Sequence, residues 1–402
     1  MIEVKESRPL KNLVILDLTR VVAGPYCTMI LADLGAEVIK VENPKGGDDT
    51  RSYAPYRNGS SMYFANINRN KKSITLNLKS AQGKEIFREL VKKADVVVEN
   101  YRPGVMKRLG LDYEELKKIN ERIIYGSVTG FGNIGPYSAQ AGYDILSQAM
   151  GGLMSITGQP DDPPTRAGNA MGDVLGGLNL AIGILAAVNE RYITGKGKQV
   201  DIALLDCVVS SLDSATQRYF ANHEIPKRIG NRYAPCAPYD VFCARDGQLV
   251  IACGNQHLYE LLCTKVMHLP ELLTDDRFDV MEKRVAHHEE LKKIIEEWLK
   301  SYNVKEIVSI LLENGIPAGP INNLKDITED EHLVFYRHMF VEVEHPEIGL
   351  MKVNGCAVKY LNEKEREFHA APMLGQHNKE ILEQYLELDQ GTLKKYKEIG
   401  VL

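Results

Sequence analysis

Histidine is missing from the first half of the sequence, and this absence limits the chemistry available there. All ten histidines of the 402-residue chain lie at or beyond His223. A histidine base in the N-terminal half would have to come from the second half of the chain. The seven cysteines include no C-x-x-C pair, so we expect buried thiols in a reducing compartment rather than disulfides or zinc ligands. No metal site is predicted.

Long runs of one charge and long apolar segments are also missing. The formal net charge is −5 and like charges do not cluster in blocks, which argues against a nucleic-acid partner. The first residues lack the apolar stretch of a signal peptide, and the apolar run 174–188 is too short to span a bilayer. We therefore expect a soluble, cytoplasmic protein that has neither a membrane nor a nucleic acid as a partner.

The dinucleotide fingerprint G-x-G-x-x-G is absent from the position where an α/β fold would carry it. The pattern predicts buried strands at 13–18 and 36–42, joined by a turn and a helix at 26–35, which together make a βαβ unit. The turn offers only Ala23-Gly24-Pro25, and proline removes one backbone donor, so a nicotinamide enzyme is disfavoured. Strands and helices keep alternating to about residue 128, which predicts a doubly wound α/β domain.

Changes in composition along the chain predict the domain boundaries. We expect a large Rossmann-like α/β domain over 1–222, ending in a helix at 205–222. A polar, proline-bearing linker is expected over 223–238, followed by a smaller α+β domain over 239–321. The remainder, 322–402, is expected to hold a second linker and a return segment that completes the large domain.

One carboxylate, Asp173, stands directly before a glycine-containing helix without a charged side chain from Val174 to Val188. Aspartate is a preferred helix N-cap, so capping is the ordinary explanation. The alternative is a nucleophile in a dry pocket, because aspartate forms covalent intermediates and burial raises its pKa. The residue pattern alone leaves both interpretations open.

Polar segments follow several of the predicted strands. Asn43–Arg51 and Tyr101–Gly104 come at the carboxyl ends of strands, where open α/β sheets bind ligands. Asn66–Lys72 holds three cations and three asparagines directly before another strand. This segment is predicted to be either a phosphate-binding loop or a solvated one.

Nine short stretches of this sequence occur together, and in the same order, in a known protein family. The chain resembles the family III (CaiB/BaiF, formyl-CoA transferase-like) CoA-transferases. The stretches are Leu16-Asp-Leu-Thr-Arg-Val-Val-Ala-Gly-Pro25, Leu34-Gly-Ala-Glu-Val-Ile-Lys-Val-Glu42, Gly47-Asp-Asp-Thr-Arg51, Asn68-Arg-Asn-Lys-Lys-Ser73, Val98-Glu-Asn-Tyr-Arg-Pro-Gly104, Gly142-Tyr-Asp144, Gly172-Asp173, Thr194-Gly-Lys-Gly197 and Pro372-Met-Leu-Gly-Gln-His377.

The resemblance implies a mechanism and an assembly. Asp173 would attack an acyl-CoA thioester to give an aspartyl anhydride, and an aspartyl-CoA thioester would then pass coenzyme A to an incoming carboxylic acid. Acyl-CoA and acid would be substrates, with no permanently bound cofactor. The resemblance also implies an interlocked homodimer. A carboxylate nucleophile needs no base, which suits a half-chain without histidine.

The resemblance carries over a set of expected contacts with coenzyme A. Asn43 stands where many relatives have arginine, and Lys71, Lys72 and Lys45 are the candidates to replace that cation. A loop containing Gly254 matches the family's glycine-rich loop, with one glycine in place of a run, and would contact substrate. The expected contacts are Val22, Ala23, Asn43, Lys71, Leu76, Asn77, Lys79, Asn100, Tyr101, Arg102, Arg108, Ala141, Gly142, Tyr143 and Asp144.

One position bears on the type of reaction and another on the substrate. α-Methylacyl-CoA racemases look like Gly-His-Asp where this chain has Tyr143, which favours a transferase over a racemase. A non-catalytic acyl-CoA-binding protein is the third alternative. Val22 replaces a glutamine of formyl-CoA transferases and argues against formyl-CoA and oxalate. The motifs are most similar to the succinyl-CoA:glutarate type. For a dicarboxylic substrate, the arginines considered for the distal carboxylate are Arg20, Arg51 and Arg69.

Overall fold

The computed structural model describes residues 8–364 and 366–402. These residues form two units. The first contains the described residues up to Met154, together with Arg166–Glu224 and Glu331–Leu402. The second contains Ser155–Thr165 and Ile225–Asp330.

A parallel sheet forms the centre of the first unit. Within the described residues its six strands lie in the order β5-β2-β1-β6-β7-β8, and β3 pairs with β4 in a small hairpin. This is the strand order of doubly wound folds, in which the winding reverses between β1 and β6 and opens a crevice at the carboxyl ends. The strands are β1 (Val14–Asp17), β2 (Glu37–Glu42), β3 (Tyr56–Arg57), β4 (Ser60–Ser61), β5 (Lys72–Thr75), β6 (Val96–Glu99), β7 (Ile124–Thr129) and β8 (Gln199–Ala203).

Helices cover both faces of this sheet. Because side chains alternate along a strand, Val97 packs into the core on one face, while Val96 and Val98 pack into the core on the other. The helices up to residue 222 are α1 (Ala23–Asp33), α2 (Met62–Ile67), α3 (Ala81–Val91), α4 (Val105–Leu109), α5 (Tyr113–Ile119), α6 (Asp144–Met150), α7 (Leu153–Ile156), α8 (Met171–Thr194), α9 (Leu204–Ser210) and α10 (Ala215–Asn222).

The predicted small-residue helix is α8, a continuous helix of 24 residues. Its length and apolar composition would suit a membrane span, but core helices of globular proteins have the same properties. Leu180 and Ile184 of α8 are fully buried against the sheet. At Gly177 a Cβ atom would lie 2.7 Å from the carbonyl oxygen of Ala23, so glycine is needed for α8 to approach α1 this closely.

The single helix predicted at 205–222 is wrong, because the chain forms α9 and α10 with a break between Ser210 and Ala215. Serine and aspartate in this break can bond to the local backbone and compete with helical hydrogen bonds. Asp213 there has a φ of 48°, which no regular helix permits.

The second unit has an antiparallel sheet in the order β11-β10-β9 and its own hydrophobic core. Phe242, Leu249 and Ile251 of this sheet pack against apolar side chains of the surrounding helices. The elements are β9 (Tyr239–Cys243), β10 (Gln248–Ala252), α11 (Gln256–Leu261), α12 (Met281–Ala286), α13 (His288–Leu299), α14 (Val304–Glu313), β11 (Ala318–Pro320) and α15 (Leu324–Glu329).

The C-terminal segment returns to the first unit and covers the exposed edge of β5. Here the chain forms β12 (Phe340–His345), β13 (Gly349–Asn354), α16 (Asn378–Leu386) and α17 (Gln390–Glu398). The N–H of Ser73 donates to His377 Nδ1 at 3.0 Å, and the N–H of Thr75 donates to Asn378 Oδ1 at 2.8 Å. Two side chains thus take the place of a neighbouring strand, which explains the motif that ends at His377.

Candidate active site

A cavity opens at the carboxyl ends of β1 and β6, where the winding of the sheet reverses. It has a volume of about 910 Å³ and is open to solvent. The start of α1, the loop after β6, the segment before α6 and the first turn of α8 all contribute to its wall. The predicted site residues that line it are Arg20, Val22, Ala23, Asn100, Tyr101, Arg102, Ala141, Gly142, Tyr143 and Asp173.

Asp173 lies in the first turn of α8 and its side chain does not cap the helix. The N-cap is Ala170, and the N-terminal turn has no side-chain cap, so the predicted capping role is wrong. Among the described residues, none donates a hydrogen bond to the Asp173 carboxylate. Burial, and then the charge of Asp144, raise the pKa of Asp173 to about 7. A cap would have lowered this pKa; without one, burial dominates.

Asp144 takes the capping role from a neighbouring helix. Its Oδ1 accepts the N–H of Gly172 at 2.7 Å, and its Oδ2 accepts Nε2 of Gln148 at 2.8 Å. The carboxylate predicted to lie beside the thioester therefore holds the N-terminus of α8. Gly172 leaves room for this contact, since a Cβ there would lie 2.2 Å from the Ser147 hydroxyl oxygen.

A second cavity of about 990 Å³ adjoins the first. The two share Arg20, Asp49 and Tyr101 as lining residues, so they form neighbouring parts of one groove. Four more of the predicted coenzyme A contacts line the second cavity, namely Asn43, Leu76, Asn77 and Lys79. Most of the predicted set thus falls into two groups, one around Asp173 and one around the end of β2.

The turn after β1 is fixed between these cavities. The Asn100 side chain accepts the N–H of Arg20 at 2.9 Å and donates to its carbonyl at 2.7 Å. Val21 has a φ of 68°, an unfavourable conformation for a β-branched residue, and its N–H donates to Asp48 Oδ1 at 3.2 Å. Asp48 is buried and also pairs with Lys40 at 2.9 Å, which makes it a supporting residue that the sequence did not single out.

The predicted contact between Lys71 and coenzyme A is not supported. The Lys71 side chain is fully buried, and burial lowers its pKa to about 8. Its ammonium donates to Asp17 at 3.0 Å, Thr28 at 2.8 Å and Asn68 at 2.9 Å. Asn68–Lys71 is a buried polar segment, neither the phosphate-binding loop nor the solvated loop that the sequence suggested.

Two of the three candidate arginines are also bound elsewhere. Arg51 makes a two-point pair with Glu42, at 2.8 and 2.6 Å, and its guanidinium lies over the Phe64 ring. Arg69 is buried and pairs with Asp33 at 2.6 Å. Arg20 alone of the three lines the cavities, with its side chain 45% exposed and Asp49 at 3.4 Å.

Arg108 and Gly254, like Asp144, Lys71, Arg51 and Arg69, lie outside both cavity walls. Arg108 is an exposed residue of α4, whose neighbours Val105 and Leu109 line the second cavity. Gly254 belongs to the second unit, just after β10, where a Cβ atom would meet nothing within 4 Å. Its carbonyl accepts a weak hydrogen bond from the Cys236 thiol at 3.6 Å.

Tyr63 of α2 is a site candidate that the sequence analysis missed. Burial, and then the charge of Asp173, raise the pKa of the Tyr63 phenol, which therefore lies within electrostatic reach of that carboxylate. Its ring packs 5.9 Å from that of Tyr53. Tyr63 is outside every motif quoted above, and nothing in the sequence distinguishes it from the other 18 of the 19 tyrosines.

Comparison with known proteins gives a consistent result. The model of CoA-transferase family III matches residues 10–378. The chain is 43% identical over 396 residues to succinyl-CoA:glutarate CoA-transferase of Mus musculus, covering 98% of this chain and 90% of that protein. It is 46% identical over 330 residues to acetyl-CoA:oxalate CoA-transferase of Acetobacter aceti, covering 82% and 84%.

A solved structure agrees with these sequence matches. A CaiB/BaiF family protein from Brucella suis superposes with a TM-score of 0.83 at 38% identity, covering 94% of this chain and all of that one. The sequence resemblance and the α/β fold with a parallel sheet are thereby confirmed. This protein belongs to CoA-transferase family III and is a CoA-transferase.

Proposed function

We propose that coenzyme A is transferred through covalent intermediates on Asp173. The observation that carries this proposal is a carboxylate at the cavity wall without a hydrogen-bond donor, whose pKa burial raises to about 7. Such a group is partly ionised at neutral pH and more nucleophilic than an ordinary aspartate. No histidine is needed to activate it.

The proposed reaction runs in four balanced steps. An Asp173 oxygen attacks the thioester carbonyl and the C–S bond breaks. The CoA thiolate departs, and the acyl group remains on Asp173 as an acyl-aspartyl anhydride. The thiolate then attacks the aspartyl carbonyl and releases the donor acid, which gives an aspartyl-CoA thioester. The acceptor carboxylate displaces the thiolate to form a second anhydride. Attack of the thiolate on the acceptor carbonyl forms the new acyl-CoA and frees Asp173.

The two adjoining cavities suit the two ends of the donor. The cavity at Asp173 would hold the thioester, and the cavity lined by Asn43 and Lys79 would hold the nucleotide part. Arg20 and Tyr101 would lie between them because they line both. A racemase is not favoured, since no histidine precedes His223 and Tyr143 occupies the discriminating position.

We propose a dicarboxylic acid as one substrate, with Arg20 as the group that receives its distal carboxylate. The relatives named above act on glutarate or oxalate according to their names, and both are dicarboxylates. The oxalate relative keeps oxalate among the acids to be tested, although Val22 argues against it. Arg20 pairs only with the exposed Asp49 among described carboxylates, so a bound acid could compete for it.

We also propose that the protein is a homodimer, interlocked as the family resemblance implies. Helices α6, α8 and α9 of the first unit pack on one another and expose large apolar side chains. Met150, Ile182 and Val209 are 47%, 65% and 46% exposed in the single chain. A second copy of the chain would cover this surface.

The test of the mechanism is trapping of the intermediate. Enzyme incubated with succinyl-CoA and then hydroxylamine should carry a hydroxamate on Asp173, detectable by peptide mass spectrometry. Asp173→Asn should bind the CoA thioester but neither turn over nor react with hydroxylamine. Full turnover by Asp173→Asn, or α-deuterium exchange of an acyl-CoA without any acceptor acid, would rule the mechanism out.

A further inference from the structure

Gln148 is a fully buried amide next to Asp144, the carboxylate that accepts a hydrogen bond from the first turn of α8. It lies on α6, one helical turn after Asp144, and its side chain has no solvent exposure. Its Nε2 donates to Asp144 Oδ2 at 2.8 Å, and its Oε1 accepts the N–H of Ala167 at 2.9 Å. Both polar ends of the amide are therefore used, one by a carboxylate and one by the segment that leads into α8.

These contacts continue to the nucleophile's own helix turn. The other oxygen of Asp144 accepts the N–H of Gly172, the residue before Asp173, at 2.7 Å. Ala167, Gln148, Asp144 and Gly172 thus form one hydrogen-bonded chain, which ties α6 to both ends of the segment before Asp173. Removal of the amide would leave the Ala167 N–H without its acceptor and deprive Asp144 of one of its two carboxylate hydrogen bonds, so that only the Gly172 N–H would hold it.

We infer that Gln148 is a positioning residue of the transfer reaction, which fixes the negative charge of Asp144 beside Asp173. This inference rests on the proposed nucleophilic role of Asp173. A fixed like charge nearby disfavours ionisation of Asp173 and thereby strengthens it as a nucleophile. Gln148 touches neither substrate nor the reacting atoms and acts only through Asp144.

Other charged and titratable groups around the pair are few among the described residues. Arg166 approaches Asp144 at 3.9 Å from the segment before α8 and partly offsets its charge. The Tyr63 phenol of α2 lies within electrostatic reach of Asp173. Arg20 and Asp49 line the same cavity and already pair with each other at 3.4 Å. Of the charged groups near Asp173, Asp144 is the one to which the Gln148 side chain donates a hydrogen bond.

The test compares the pH profiles of two near-isosteric variants. Gln148→Met removes the donor, so the acid limb of kcat/KM should move to lower pH by about half to one unit, and kcat on the plateau should fall about threefold to tenfold. The KM for the CoA thioester should be unchanged. Gln148→Glu keeps a polar group and adds a carboxyl, so its acid limb should stay or move to higher pH.

Asp144→Asn gives a second measurement that does not depend on folding of the Met variant. It removes the charge while keeping the shape, and it should reproduce the downward shift of the acid limb. Adding Gln148→Met to Asp144→Asn should then cause no further shift. Gln384→Met, an exposed position on α16, is the matched control and should leave the profile unchanged.

Two outcomes would overturn the inference. One is an acid limb of folded Gln148→Met that coincides with the wild type. The other is a downward shift in Gln148→Glu equal to that in Gln148→Met, which would indicate a packing effect alone. Asp173→Asn separates this failure from that of the mechanism: if Asp173→Asn is inactive while the Gln148 profiles do not move, only the role of Gln148 is lost.

Discussion

The ionisation of Asp173 should control the pH dependence of the reaction. Its pKa is raised to about 7, so most of this carboxyl is protonated below pH 6 and cannot attack. We expect kcat/KM to rise tenfold per pH unit on the acid side and to level off above about pH 7. Initial rates with saturating acceptor between pH 5 and 9 will measure this. An acid limb near pH 4, the ordinary value for aspartate, would contradict the buried environment.

The same raised pKa predicts that the nucleophile destabilises the fold at neutral pH. Between about pH 4 and 7 the native state binds more protons than the unfolded state, so the free energy of unfolding falls as pH rises through this window. Asp173→Asn removes this loss and should be more stable than wild type by about 2 kcal/mol at pH 8, and no more stable at pH 4. Urea unfolding at both pH values measures it. Asp162→Asn, an exposed aspartate, should show no such pH-dependent gain.

Arg20 should determine the preference for dicarboxylic acceptors. Arg20→Met is expected to raise the KM for glutarate about tenfold or more, because one charge-assisted pair is lost, while the KM for a monocarboxylic acid stays the same. Arg102→Met, an exposed residue of the same cavity, should instead raise the KM for the CoA thioester. Equal losses for mono- and dicarboxylic acids in Arg20→Met would assign Arg20 to coenzyme A.

For single residues, the sequence identified the charged side chains but not the groups with which they pair in the fold. Asp173 was found because a lone carboxylate beside an uncharged helix is unusual and the family motif includes it. Lys71, Arg51 and Arg69 were assigned to ligands because a cation in a polar segment looks the same whether it faces solvent or a buried acid. The acid that binds Lys71 is Asp17, 54 positions earlier, and no local pattern connects the two.

Among the secondary-structure elements, the edge strand β5 allows a direct test of how much the side chains that cover its edge contribute to stability. Asn378 accepts the N–H of Thr75 and donates to its hydroxyl, both at 2.8 Å. Asn378→Ala removes both hydrogen bonds and leaves a strand N–H without a partner, so it should destabilise the protein by about 2 kcal/mol. Urea unfolding measures this loss. Gln384→Ala, an exposed residue of the same helix, should change stability by less than about 0.5 kcal/mol. Equal effects of the two substitutions would mean that the edge contact contributes nothing.

The buried strands were predicted correctly because a parallel sheet covered on both faces needs apolar runs such as Val96–Val98. Their order in the sheet was not predicted, because the apolar runs do not specify which strands are neighbours. The helix predicted at 205–222 failed because its apolar periodicity continues through Ser211–Ser214, where local hydrogen bonding ends the helix.

For the whole molecule, sequence patterns could not show which distant segments meet. His377 contacts Ser73 across 304 positions, and the short polar motif that contains His377 does not reveal its partner. The predicted boundaries of the two linkers stay predictions, as do cytoplasmic localisation and the interlocked assembly.

The apolar surface on α6, α8 and α9 should decide the oligomeric state. Ile182 is 65% exposed on α8 although this helix carries no charge between Val174 and Val188. Isolated exposed apolar residues are common, but a group on three packed helices marks an interface. A buried glutamate there would lose its hydration without gaining a partner. Ile182→Glu should therefore reduce the dimer fraction that light scattering detects after size-exclusion chromatography.

The matched control is Ile399→Glu, which changes an exposed isoleucine just after α17. α17 packs on the opposite face of the central sheet from α8, so this variant should remain as dimeric as wild type. A monomeric wild type, or the same dimer fraction in both variants, would refute the proposed interface. Loss of the dimer in Ile182→Glu alone would locate the contact on the helix that carries Asp173, because Ile182 lies between two and three turns further along α8. The assembly would then hold the helix that carries the nucleophile, and the variant should lose transfer activity together with its dimer.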